Sequence, residues 1–344
     1  MKKFFLLLIV IVGGYCLYSG FTGANIEAMN LSSEITYDIY TNFIPDTDGF
    51  WGFRSGKVMH YDKDGKCDHS ISVNADEPVI ASGDILTVYD GKGGDVLNGY
   101  DRHGKELWSY NAGGNIEDVK IKRGDNVFMV YLKDNVHHMA ELNERGAKLN
   151  DWVASDDYIM DYDFEGDMVY VASANTSKKL GGRITAYDRG GSLKWAQELD
   201  GCVPLMVKAT DEGISAILDK KLLSLSDNGK KVFEKDMDSD CGCIDDDGNI
   251  FVCAGGRLYG QAAGGRSLFK MNLSGAHSVY PAHKGVLVLG DRTVRLFSPG
   301  GKVIASYDDM RDIDYLVPLK NKDRALAVGR SGADLITLTQ GQGK

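Results

Sequence analysis

Proline is scarce in this chain, with 6 residues in 344, and cysteine is as rare at 6, no two of them adjacent. So little proline excludes stiff extended linkers strung between domains. No low-complexity tract or long run of one charge points to disorder. A basic footprint is missing too. Lys and Arg number 39 against 49 Asp and Glu, a net charge of −10, which argues against a nucleic-acid partner. Catalytic signatures are absent as well: there is no Gly-x-Ser-x-Gly and no phosphate loop. His137-His138 are adjacent, so on a strand their rings point to opposite faces and read as surface residues rather than a metal pair. Cys241-Gly242-Cys243 is half of a zinc motif, with no second pair or flanking histidine to complete it. The chain is therefore expected to hold no metal or cofactor and not to be an enzyme.

A hairpin turning at Asp246-Asp247-Gly248 would set Cys243 near Cys253 on neighbouring strands. Two readings stand there: a disulfide in an oxidising compartment, or small buried thiols.

Glycine is abundant at 42 residues, and the hydrophobic share of 43% is enough for a sizeable core. Met1-Lys2-Lys3 precedes an uncharged stretch from Phe4 to Ile26, densest over Phe4–Val12. Residues 4–24 read as a transmembrane anchor, with residues 1–3 inside and 25–344 outside as one domain. The alternative is a signal peptide cleaved near Thr22-Gly23-Ala24, leaving a secreted or periplasmic protein. Tyr15 precedes Cys16 where a lipidated cysteine would need a small residue, so a lipoprotein is rejected.

An internal repeat decides the fold. Seven times a short alternating strand runs into a polar turn ending in glycine, then a further apolar strand that usually opens with a basic residue. Val58–Gly65, Asn98–Gly104 and Ile184–Gly191 are examples, and the turn glycines are Gly65, Gly104, Gly146, Gly191, Gly229, Gly265 and Gly301. Their successive spacings are 39, 42, 45, 38, 36 and 36 residues. A period near forty with period-two alternation is the mark of a β-propeller with four strands, A to D, per blade. Each A–B hairpin has its own turn, at Asp46–Gly49, Asp211–Gly213, Asp246–Gly248 and His283–Gly285. These lack the alternating ligands and distant Glu of a calcium loop and read as hairpin chemistry.

The C-terminus supplies strands A to C of an eighth blade, ending with Asp334–Leu338. Ala28–Thr36 is an unassigned strand-like segment. It is expected to close the ring as the outer strand of that blade, which removes exposed sheet edges. Seven blades with a C-terminal extension is the alternative.

Tyr100-Asp101…Gly104-Lys105…Trp108 and Tyr187-Asp188…Gly191…Trp195 resemble the pyrroloquinoline-quinone-type (PQQ-like) propeller repeat. Phe233, Phe269 and Ile304 stand for the tryptophan in later copies, and blades 1 and 3 lack it. The resemblance covers roughly residues 28–344. One branch of that superfamily, the quinoprotein dehydrogenases, binds the quinone with calcium and an adjacent-cysteine disulfide, and this chain shows neither ligand set. The other branch is represented by the propeller scaffold lipoprotein of the outer-membrane β-barrel assembly machine, which implies a protein-binding role.

Strand order sorts the loops. C–D turns open on one face of the disc, D–A and B–C connections on the other. The C–D turns carry Lys63, Lys66, Arg102, Lys105, Arg145, Lys148, Arg189, Lys230, Lys231, Arg266, Lys302 and the terminal Lys344. The D–A junctions carry Asp76, Glu77, Glu117, Asp118, Asp156, Asp157, Asp200, Asp236, Asp238, Asp240, Asp308, Asp309 and Asp312, with Asp38 at the closure. The expected arrangement is a basic face towards anionic lipid and an acidic face towards an envelope or membrane protein. The B–C loop Ser173–Gly182, with the glycosylation-type triplet Asn175-Thr176-Ser177, would rise on the acidic face. The leading function is a non-enzymatic, membrane-anchored scaffold or sensor outside the cytoplasm. A small-ligand or glycan-binding propeller is the first alternative, and an enzyme with an unrecognised site the second.

Overall fold

The computed structural model describes residues 27–37, 42–121, 126–154, 157–175, 180–282, 285–320, 324–330 and 332–338. The anchor at 4–24, Asp38, Asp156, residues 176–179 of the B–C loop and Lys344 lie outside them. No helix among the described residues is long and apolar enough to cross a membrane.

These residues form an eight-bladed, all-β propeller. Blade 1 runs Ile44–Pro45, Gly49–Arg54, Lys57–Asp62 and Cys67–Ser72, each strand antiparallel to the next. Blades 2 to 7 repeat the order, beginning at Pro78–Ser82, Asn115–Ile121, Tyr158–Glu165, Pro204–Thr210, Cys241–Ile244 and Ser278–Ala282. B and C strands are the apolar middle of each sheet. Gly213–Leu218 and Gly285–Leu289 are buried throughout, whereas D strands such as Cys67–Ser72 are mostly exposed, with Ile71 alone buried there. The core is accordingly a set of clusters between blades, such as Trp51, Val58, Ile71, Leu86 and Tyr100 between blades 1 and 2.

The expected closure is present. Asn30–Ile35 pairs antiparallel with Gly332–Thr337 as strand D of blade 8, with Leu31 opposite Ile336. One pairing was not anticipated. Glu27–Ala28 adds a parallel fifth strand to blade 7, against Ala305 and Ser306, and the Met29 amide donates to the Ser306 carbonyl (2.8 Å). The N-terminal segment thus bridges two blades.

The repeat has a packing cause. Four residues after each turn glycine, strand D presents a side chain to the next blade. Trp108 lies opposite Gly99, packs on Gly146 of blade 3, and donates from Nε1 to the Glu144 carbonyl (3.0 Å). A Cβ at Gly146 would sit 2.7 Å from the indole, and its φ of 74° is itself unfavourable for any side chain. Trp195 does the same on Gly229, donating to the Asp227 carbonyl (2.7 Å), while Phe233 packs on Gly265 and Phe269 on Gly301. A β-bulge precedes each docking position on strand D, because one residue there has no partner on strand C.

Among blades 1 to 7, three depart from this scheme, and in blade 8 Ser33 and Ile35 meet Gly65. In blade 7 the docking position is Ala305, opposite Leu296. Ile304, which the repeat suggested as the tryptophan substitute, is the bulge residue instead. In blade 3 Asn150 takes the place and donates to the Arg189 carbonyl (2.8 Å), reproducing the indole hydrogen bond. That blade does have a tryptophan, two residues later: Trp152 covers Gly191. In blade 1 the position is His69, opposite His60.

The cysteine hairpin also differs from expectation. A five-residue connection between Ile244 and Ile250 places Cys241, not Cys243, opposite Cys253. Cys67, Cys202, Cys241, Cys243 and Cys253 are free thiols.

Candidate interaction face and channel wall

The C–D ladders place Lys63, Lys66, Arg102, Lys105, Arg145, Lys148, Arg189, Lys230, Lys231, Arg266 and Lys302 at or beside the C–D turns. Several are already engaged. Lys148 binds Asp151 (2.7 Å), Lys231 binds Glu234, and Arg189 lies 3.5 Å from Asp167. Arg102 is turned inward onto buried Asp46 (3.1 Å) and the Gly83 carbonyl (2.8 Å), locking blade 2 to blade 1. The A–B turns of the same face add carboxylates, among them Asp167, Asp211 and Asp246.

The opposite face is equally mixed. Asp76, Asp200, Asp236, Asp238, Asp240, Asp308 and Asp312 are exposed at D–A junctions. The B–C turns on that face supply Lys92, Lys133, Lys220, Arg257 and Arg292, cations that counting D–A junctions alone omits. Arg292 binds Asp312 (2.8 Å), and Arg311 binds Asp309 (3.3 Å) and Asp334. Arg311 and the Arg311 backbone outweigh partial burial and hold the Asp309 carboxyl below the usual range. Asp157 is likewise committed, to Arg183 (3.4 Å), Ser173 (3.2 Å) and Asn175.

Glu117 and Asp118 fall inside strand A of blade 3, on the inner wall rather than at a junction. Here the A strands of blades 3 to 5 are stapled by side chains. Lys120 binds Asp161 and the Tyr162 carbonyl, both at 2.6 Å. The second Asp161 oxygen accepts the Val207 amide (2.8 Å), and Asp163 accepts that of Ala209 (2.9 Å) and faces Lys208 (3.5 Å). Confinement pushes the Asp118 carboxyl above its ordinary value despite nearby Lys120. Satisfied this way, Asp161 and Asp163 hold blades together.

What distinguishes one sector is exposed apolar surface. Val153 is 59% exposed, Leu180 52%, Tyr158 52%, Leu205 47% and Met160 44%. All five lie at the D–A and B–C ends of blades 3 to 5. Val153 and Leu180 line a cleft of about 400 Å³ with Asp157, Arg183, Glu198 and Asp200. No sequence motif marks these residues, because each is an ordinary strand-end residue and only the fold places them in one sector.

No protein-family model matches the chain, and no curated protein sequence does. Solved structures do. BamB from Moraxella catarrhalis superposes with a TM-score of 0.64 at 17% identity, over 90% of this chain and all of that one. The C-terminal WD40 domain of Sif2 gives 0.68 at 11%, over 91% and 99%. Apo AztD from Citrobacter koseri gives 0.57 at 8%, over 79% and 87%. At such identities the likeness establishes the class, a β-propeller, and the fold alone.

Proposed function

We propose that this protein is a non-enzymatic scaffold of the cell envelope. It is tethered by residues 4–24 and holds a partner protein on its D–A and B–C face. The observation that carries the reading is the apolar sector of Val153, Tyr158, Met160, Leu180 and Leu205. Large apolar side chains gathered beside a cleft and rimmed by charge are the composition of a protein interface. Asp200 and Glu198 on that rim favour a partner with basic groups around an apolar centre. Charge on the whole face supports the reading less, since the B–C cations offset the D–A carboxylates.

The entry of the chain supports an orientation. Glu27 lies opposite Ala305, near the start of strand D in blade 7, so the N-terminal segment reaches the disc from the C–D side. A tether there turns the C–D cations towards lipid and the apolar sector away from it. Arg102 does not belong to that lipid-facing set, being bound to Asp46.

The test is a photo-crosslinking residue placed in full-length protein at Leu180 or Leu205, and separately at Leu107 on the outer rim. One partner captured from the first two positions and not from the third is the expected result. Its loss in a Tyr158→Asp/Leu205→Asp double variant completes it. Equal capture from all three positions, or a partner retained by the double variant, overturns the reading.

A further inference from the structure

Blade 1 breaks the docking rule twice in one ladder. Blades 2 to 8 pair the docking side chain with Gly99, Glu141, Ala186, Ser224, Gly260, Leu296 and Leu335 in turn on strand C, and blade 1 alone sets histidine on both sides. The bulge explains what converges there. Asp68 is the extra residue of strand D, between Cys67, paired with Tyr61, and His69, paired with His60. A bulge re-aims the unpaired side chain, so two consecutive residues reach the same point. Both imidazoles turn Nδ1 onto one carboxylate oxygen of Asp68, His60 at 2.8 Å and His69 at 2.6 Å. The rings lie 4.8 Å apart, and the three ligand atoms fall within 4.8 Å of one another.

We propose that His60, Asp68 and His69 form a site for one divalent transition-metal ion of the Zn²⁺ class. Two imidazole nitrogens and a carboxylate suit borderline ions and disfavour calcium or magnesium, which take oxygen. Ligands of one Zn²⁺ stand about 3.3 Å apart, so the present contacts need open by less than about 1 Å. Binding displaces the ring proton from Nδ1 of each histidine, and each N–H then resides on Nε2.

For His60 that arrangement is prepared. Its Nε2 faces the Asp46 carboxylate at 3.4 Å. Asp46 is 2% exposed and held by Ser82 (3.0 Å) and Arg102 (3.1 Å). A fixed carboxylate behind a metal-binding histidine sets its tautomer and raises its basicity. Trp51, 1% exposed and 4.7 Å from the His60 ring, completes the dry wall. His69 engages only through Nδ1, its Nε2 being buried without a hydrogen-bond partner among the described residues.

The experiment is a Co²⁺ titration of chelator-treated full-length protein, read by visible absorption and by metal content after dialysis, with Zn²⁺ as competitor. One ion per chain is expected. Asp68→Asn and His69→Gln, both at accessible positions, should each weaken binding by at least about tenfold. His277→Gln, which alters a histidine paired with Asp291 in blade 7, should leave binding unchanged. Thermal melts of all variants without metal verify folding. No saturable binding means that the cluster is an ion-pair network only and overturns the proposal. Binding undiminished in both site variants places the ion elsewhere and overturns it equally.

Discussion

Blades 1 and 4 are built on the same ladder and use its docking position in opposite ways. In blade 4, Trp195 lies opposite Ala186 and covers Gly229 of the next blade. In blade 1, His69 lies opposite His60, and the next turn glycine, Gly104, is met by Ile71 instead. Blade 3 follows blade 1: Asn150 is polar, and Trp152 reaches Gly191. In blades 1 and 3 the residue two places further along strand D supplies the contact with the next turn glycine. The docking position is thereby released for a polar side chain. A repeat can therefore accept a polar group at its most constrained position, provided the neighbouring contact moves by one pleat.

That comparison is open to measurement by urea denaturation of metal-free protein. Trp108→Ala removes a dock that nothing replaces and should cost about 3–5 kcal/mol. Ile71→Ala tests the substitute contact of blade 1 and should cost about 2–5 kcal/mol, as for other buried isoleucines. A loss under the cost of one methylene would show that Ile71 does not carry the blade 1 to blade 2 contact. Asn150→Ala deletes hydrogen bonds to the Arg189 carbonyl and to buried Glu141 and should cost about 1–3 kcal/mol. Smallest is His69→Ala, expected below about 1 kcal/mol because the side chain is partly exposed. The contrast would fail if the His69 and Trp108 losses came out equal.

Eight blades and the closing strand were legible because a period near forty survives any single substitution, and Asn30–Ile35 had no other partner. The docking position was legible where an aromatic filled it, as at Trp108 and Trp195. At Ala305 the eye falls on the larger neighbour Ile304, and only the bulge separates them. His69 stands four residues after Gly65, so the spacing already marked it, but His60 and Asp68 join it only through the register of one ladder. The faces were the harder problem. Loop order assigns sides correctly, yet Arg102 shows that a turn cation can point into the fold, and Glu117 that an acid near a junction can belong to a strand.

The closing strand also sets an order of events. Ser32 hydrogen-bonds Thr337, 305 residues further along the chain. Bringing such distant segments together costs about 5 kcal/mol of chain entropy, returned only when blade 8 is complete. The strand that leaves the ribosome first is thus the last to find its place. Until then strand C of blade 8 lies bare. A chain released before Gly332 would lack strand C of blade 8 altogether, leaving Arg324–Gly329 bare and Asn30–Ile35 without its partner, a ring that cannot lock and edges ready to pair with another copy.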